Sequence, residues 1–472
     1  MPALETFAIR KNQLENLTQE ALRNGGDYCD LFFENTTIWS LMLKDSEVTS
    51  GGYHRDYGCG IRVLNGEKTG YAYSESTDYT SLLKAAQAAS AISNSAGDPT
   101  RAGYKGVEIK GMNDFYPMKE DLRQAPPSGF VPLLRKLDSA IRAADTRVIK
   151  VVAGLSYSVS EILMYNSLGE LTEDLRPLCS LNATVVFKQG DSIQTKSVSK
   201  SLRQGAEFYS DELVRELATR LTSGIDAMFE AKRPAGGQMS VVMAAGASGI
   251  LLHEAMGHAF EADFNRKGQS IFSDKMGSRV CRAGINIVDD ATVPGLRGSL
   301  NFDDEGVPGQ KTYMVTDGVL TSYLHDRISA RYFDVAPTGN GRRESFRYNP
   351  IPRMRSTYME NGSDGTLDDL IRRARNGIYV DEFANGEVKI GEGDFTFYVK
   401  SGFLIEDGRF TMPIKDVNII GNGPQALSDI EAVAGDLKID EGRWTCGKGQ
   451  SAPVSCGIPS VLIKNLTVGG GL

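Results

Sequence analysis

Apolar positions along this chain follow two periods, and the change from one to the other divides it. Near the N-terminus Leu14, Leu17 and Ala21 fall at helical spacing, and YCDLFFEN (28–35) then reads as a buried strand. GIRVLNGEKTGYAYSE (60–75) alternates as a hairpin about Asn65-Gly66, a dipeptide suited to a tight turn with positive φ. An Ala- and Leu-rich run follows from Asp78, which is placed to cap a helix ending near residue 93. Leu133, Leu137 and Ile141 mark another helix face, alternation predicts long strands over about 148–199, and Leu213, Leu217 and Leu221 mark a further helix. Beyond residue 237 the elements shorten into strands turning at Asp317-Gly318, Ser401-Gly402 and Asp407-Gly408, with helices over 250–262 and 366–376. Stretches rich in Gly and Pro at 97–127 and 232–237 read as linkers. The expected fold class is α+β. Two N-terminal α/β units, 1–110 and 111–232, precede a β-rich C-terminal domain, 233–472, which holds the buried helix of 250–262.

Size and charge narrow the function. A chain of 472 residues exceeds what one ordinary core organises, which agrees with several domains. Hydrophobic residues make up 41% and charged residues 24%, the balance of a folded soluble protein. With 52 basic and 60 acidic side chains, and no local run of Lys and Arg, the chain lacks the footprint of a nucleic-acid binder. The longest apolar stretch, 240–252, is broken by Gly246 and Gly249 and is too short to span a membrane. The N-terminus shows no apolar core of signal-peptide length, so a cytoplasmic protein is expected. Six scattered cysteines (Cys29, Cys59, Cys179, Cys281, Cys446 and Cys456) do not form a disulfide framework.

The chemistry concentrates in SVVMAAGASGILLHEAMGHAFEADF (240–264). Val241, Val242 and Met243 read as a strand, 244–249 as a turn, and 250–262 as a helix buried on Ile250, Leu251, Leu252, Ala255, Met256 and Phe260. Of only four histidines (His54, His253, His258 and His325), two sit in this helix, with Glu254 directly after the first. A glutamate is rarely buried without a partner or a metal, so the group reads as a metal site. Spacing the histidines by five leaves them about 140° apart on a regular α-helix. A π-bulge would swing His258 back towards His253, and Gly257 would permit it, so irregular backbone is expected over 255–258.

A catalytic zinc takes three protein ligands and a water. The local candidates for the third ligand are Glu261 and Asp263, and the remote ones are Cys446 and Cys456. Glu261 otherwise belongs on a solvated helix face. Cys446 opens the permissive loop Gly447-Lys448-Gly449, where Lys448 is expected to stabilise a thiolate. Cys456, ahead of Gly457 in the next strand, is expected to be a buried thiol. Among the weaker signals, Tyr323 and His325 are possible oxyanion donors, with an ordinary surface histidine the simpler reading. Asp303, Asp304 and Glu305 read as a solvated acidic loop. His54, Arg342 and Arg343 carry no role beyond packing or salt bridges.

Five segments in order, HEAMGHAFEADFNR, NFDDEGVPGQ, GVLTSYLHDRISAR, PTGNGRRES and TCGKGQSAPV, resemble the TldD/PmbA family of zinc-dependent peptidases over nearly the full length. They resemble in particular its metal-bearing TldD type, since the TldE (PmbA) type lacks the histidines. One departure is that Lys448 and Gly449 are adjacent here, where the family usually places another residue between them. The resemblance implies that His253, His258 and Cys446 bind Zn2+ on one metal-binding helix and a distant loop, with Glu254 as the base. It further implies unfolded peptides as substrate, with little sequence preference. It also implies a dimer, with a TldE (PmbA)-like or an identical subunit. The competing reading is a peptide-binding or regulatory scaffold in which a structural zinc staples the C-terminal tail to the helix. A different metal-dependent hydrolase, such as an amidase, is a further alternative.

Overall fold

Long alternation produces long strands. In the computed structural model, which describes residues 2–91, 114–389 and 391–470, the first six strands are Tyr28–Lys44 (β1), Glu47–Asn65 (β2), Lys68–Ser74 (β3), Val148–Asn166 (β4), Leu171–Gln189 (β5) and Ser192–Leu202 (β6). They form one antiparallel sheet in the order β3-β2-β1-β4-β5-β6. Both N-terminal segments therefore contribute to a single sheet, joined where β1 pairs with β4. One face carries Leu31, Phe33, Ile61 and Val63 against the helices Lys11–Leu22 and Tyr79–Ala91. Further along, Leu181, Val185 and Phe187 pack on the helices Val131–Ala144 and Asp211–Thr222. In the first of these Leu134, rather than Leu133, is buried beside Leu137 and Ile141. Asp78 caps its helix as expected, accepting a hydrogen bond from the Ser81 backbone N–H at 3.0 Å. The first linker lies partly outside the described residues, at 97–113.

The turn chemistry is followed in two hairpins. Asp317-Gly318 (φ +48° and +78°) and Asp407-Gly408 (φ +47° and +74°) are two-residue loops with both residues left-handed. At the first hairpin Asn65 pairs with Lys68, so the loop is Gly66-Glu67, one residue later than expected. Ser401-Gly402 is not a turn. It lies inside the strand Asp394–Glu406, where Gly402 faces Val380 and an added Cβ would sit 2.1 Å from the Tyr379 carbonyl. The glycine marks close backbone approach within a sheet, a role that sequence composition does not distinguish from a turn.

The C-terminal half is β-rich and holds two sheets. One contains Gly237–Met243 (β7), Gly377–Val388, Val461–Gly470, Val417–Asn422 and Asp394–Glu406, and closes on itself because the second and last of these strands also pair. The other is built around Ile287–Asp290, Ser356–Met359 and Ser455–Ile458. Residues 250–262 lie between them, with Leu251, Leu252, Met256 and Phe260 in one core with Val380, Phe397 and Ile419 of the first sheet and Ile287 and Met314 of the second. At about 1.5–3 kcal/mol for each large apolar side chain, this burial can hold a helix whose own geometry is irregular.

The open face of the N-terminal sheet meets the C-terminal half through charge. The acidic loop expected to be solvated is instead buried between them. Arg62, bound to Asp30, also donates to Glu305 Oε1 at 2.6 Å, and Arg176 donates to Asp304 Oδ1 at 2.5 Å. Asp303 accepts from the backbone N–H groups of Glu305, Val307 and Gly341, each at 2.9 Å. Donors offset the cost of burial unequally: against that burial Arg176 and Arg343 hold Asp304 below its ordinary value, while burial still pushes Asp303 and Glu305 up. Among the described residues no helix is long and apolar enough to cross a membrane.

Candidate metal centre

The strand β7 runs into a turn at 244–249, and the chain then winds irregularly. Ile250–Leu252 is α-helical, His253–Gly257 takes the wide π geometry, and His258–Phe260 tightens to 3-10. This is the distortion that a five-residue histidine spacing requires. Gly257 permits it for a second reason: Met354 Sδ would lie 2.1 Å from a Cβ at that position. The two imidazoles consequently converge, with ring centroids 5.2 Å apart and planes at 79°.

A thiol completes the group from 188 residues away. Cys446 Sγ lies 3.3 Å from His258 Nε2, and ligand atoms of His253, His258 and Cys446 all fall within 4.8 Å of one another. All three residues are at most 4% exposed. Among the described residues no other group of three His, Cys, Asp or Glu side chains converges in this way. Burial would push the thiol up, but the His253 and His258 rings overcome this and bring Cys446 down to about 5, so it is available as thiolate near neutrality. His253 Nδ1 is buried without a hydrogen-bond partner. Two imidazoles and a thiolate, with one polar atom left unsatisfied, fit a zinc ion with a position to spare for water.

The surrounding residues orient this set. His258 Nδ1 donates to Glu261 Oε2 at 3.0 Å, which leaves Nε2 to face the sulfur. Glu261 is not on a solvated face but fully buried. Burial works against its charge, yet Lys448 and then His258 hold its carboxyl down at about 2. Lys448 does not act on the thiolate as expected. Its ammonium binds Glu261 at 3.0 Å and Asp263 at 2.7 Å, which ties the cysteine loop to the segment following the helix. Asp263 is thus occupied by Lys448, and Cys456 is a buried thiol pushed well up by burial, with Asp440 and Glu254 adding to the shift. Glu254, half-buried, has no hydrogen-bond or ion-pair partner among the described residues, so its carboxylate is uncommitted.

Two weaker candidates change character. His325 is not at the surface but 3% exposed, packed on Phe333, and burial pushes it down to about 4. The Tyr323 hydroxyl is already donated to the Phe272 carbonyl at 2.7 Å, so it is not free to serve an oxyanion. His54 is exposed and lies 3.1 Å from Asp56. Arg342 and Arg343 are buried and donate to backbone carbonyls or carboxylates. Sequence reasoning missed Arg353, which donates to the Cys446 carbonyl at 2.5 Å; nothing in its neighbours sets it apart from other arginines.

Known proteins similar to this chain point to one family. Three family models match: PmbA/TldA metallopeptidase domain 1 at residues 29–93, the central domain at 120–224, and the C-terminal domain at 236–470. The chain is 37% identical over 462 residues to a Metalloprotease TldD homolog of Buchnera aphidicola, covering 94% of this chain and 93% of that protein. It is also 37% identical to a Metalloprotease TldD homolog of Haemophilus influenzae, with the same coverage of each. A Zinc metalloprotease TldD homolog of Saccharolobus solfataricus is 32% identical over 62% of this chain and 65% of that one. The fold is that of TldE from Thermococcus kodakarensis, with a TM-score of 0.77 at 17% identity over 97% of this chain and all of that one. With three family models spanning most of its length and close agreement with these relatives, the chain belongs to the TldD/PmbA metallopeptidase family.

Proposed function

We propose that this protein is a zinc-dependent peptidase that hydrolyses unfolded peptides with low sequence preference, using His253, His258 and Cys446 as ligands and Glu254 as general base. The observation that carries the reading is the meeting of a buried thiol with two imidazoles, one of them next in sequence to Glu254, whose carboxylate has no hydrogen-bond or ion-pair partner among the described residues. Bound zinc would lower the pKa of a water from 15.7 to near 7 and polarise the scissile carbonyl. Glu254 takes the water's proton and returns it to the leaving amine, a role open to it because both imidazoles of the motif are committed as ligands. Glu261 keeps His258 in the tautomer that presents Nε2.

Substrate entry is best accounted for by the cleft of about 280 Å3 lined by Ser197 and Ser199 of β6 together with Phe383, Arg443 and Trp444. β6 is an edge strand, and Trp444 stands two residues before Cys446. An extended peptide can pair with such an edge through main-chain hydrogen bonds, which explains weak sequence preference. The protein acts in the cytoplasm, in a dimer with a TldE-like or an identical subunit. Glu254→Gln is the test: metal content and fold persist while cleavage of an unfolded peptide falls about 10²–10⁴-fold. Unchanged cleavage would overturn the mechanism.

A further inference from the structure

The ligand cysteine stands on a hairpin with little support of its own. Among the described residues Thr445–Gly447 pairs only with Ser451–Pro453, and this ribbon joins no larger sheet. Two short strands in isolation are at best marginal in water. Three buried arginines hold them instead. Arg297 donates to the Trp444 carbonyl at 2.7 Å, and Arg342 donates to the Pro453 carbonyl at 2.8 Å. Arg353 alone spans the loop, donating to the Cys446 carbonyl at 2.5 Å and to the Gln450 carbonyl at 2.8 Å. Arg353 is fully buried, and among the described residues none of the three forms an ion pair. A cation buried without a carboxylate is costly, and a planar fork of donors aimed at carbonyl oxygens is one of the few ways to offset it.

The same short segment touches the histidine side. Met354, next to Arg353, fills the space that the missing Gly257 side chain leaves between the two histidines. The Pro352 carbonyl accepts from Lys448 at 3.1 Å, and Lys448 in turn holds Glu261. Arg355 fastens the segment to Asp289, donating from Nε at 2.7 Å and from its backbone N–H at 2.8 Å. Four consecutive residues thus contact the π-turn, the cysteine loop and a strand of the sheet beneath them.

We infer that Arg353 is a positioning residue for the metal centre: its fork fixes the Cys446 backbone in reach of His253 and His258, while Met354 fixes the turn that carries them. This rests on the metal-site reading above. The fork, and not the charge alone, is what matters, because Arg353 reaches the two carbonyls from separate nitrogens, Nη1 and Nη2, where a lysine offers a single nitrogen.

Cobalt(II) titration of the full chain tests this, since a thiolate ligand gives a near-ultraviolet charge-transfer band that reports whether Cys446 reaches the ion. Wild type shows the band at one cobalt per chain, and His253→Ala does not. Arg353→Met loses most of the band and binds cobalt about 10–100-fold more weakly, the scale seen when support around metal ligands is removed. Arg353→Lys recovers part of the affinity and part of the band. If Arg353→Met fails to fold, as judged by circular dichroism, Arg353→Lys still decides: wild-type affinity and a full band in Arg353→Lys overturn the inference. A folded Arg353→Met with wild-type affinity and band also overturns it. Absence of the band in wild type would instead strike at the metal-site reading, which keeps the two failures apart.

Discussion

On one side of the metal centre, six consecutive residues supply two imidazoles and a carboxylate; on the other, a single thiol arrives from 188 residues away on a hairpin that joins no larger sheet among the described residues. The histidine side draws its geometry from local sequence. A five-residue spacing and Gly257 dictate the π-turn, and a row of apolar side chains buries it. The cysteine side draws its geometry from tertiary contacts: buried arginines on its backbone and the Lys448 bridge to Glu261. A motif can specify ligands that sit together, but a ligand brought from afar needs a scaffold that the motif does not show.

Breaking the bridge between the two sides should have the largest effect. Glu261→Gln removes the carboxylate that both His258 and Lys448 use, and metal affinity should fall about 10–100-fold, read by competition with a chelating dye. Retained affinity would mean that each side holds its geometry unaided. Gly257→Ala strikes the histidine side alone. Its Cβ would fall 2.1 Å from Met354 Sδ, and crowding of this kind should cost about 2–3 kcal/mol in a denaturant titration, with weaker metal binding. A neutral outcome would show that Met354 swings away freely.

The effect furthest from the metal should come from the interface that fixes the N-terminal sheet against the C-terminal half, and it appears only at high pH. Burial pushes Glu34 up to about 7, although Thr36 and the Phe346 backbone N–H donate to it. Because the folded-state value is raised, this group's contribution is fully present below about 4.5 and is lost as pH rises through about 7. Glu34→Gln should therefore be up to about 3 kcal/mol more stable than wild type at pH 8 and nearly equal to it at pH 4. Urea titrations at the two pH values check this, and an equal difference at both would remove Glu34 as the titrating group.

The same contrast explains what could be read before the structure. Helix faces such as Leu213, Leu217 and Leu221, and turns such as Asp317-Gly318, depend on neighbours in sequence, and they appear where the pattern places them. His253, Glu254 and His258 were legible for the same reason. Asp303, Asp304 and Glu305 were not, because a solvated acidic loop and a buried one have the same local sequence; their partners Arg62 and Arg176 lie on the N-terminal sheet. His325 and Glu261 were misplaced at the surface on similar grounds, since what buries them is packed from elsewhere. Ser401-Gly402 looked like a turn because glycine serves close strand packing and reversal equally well.

Whether the two sides close on one ion is measured most directly by metal content. Purified wild type and Cys456→Ala should each carry one zinc per chain by elemental analysis, and Cys446→Ala should carry far less. A full zinc complement in Cys446→Ala, or its loss in Cys456→Ala, would contradict the ligand set and with it the proposed peptidase centre.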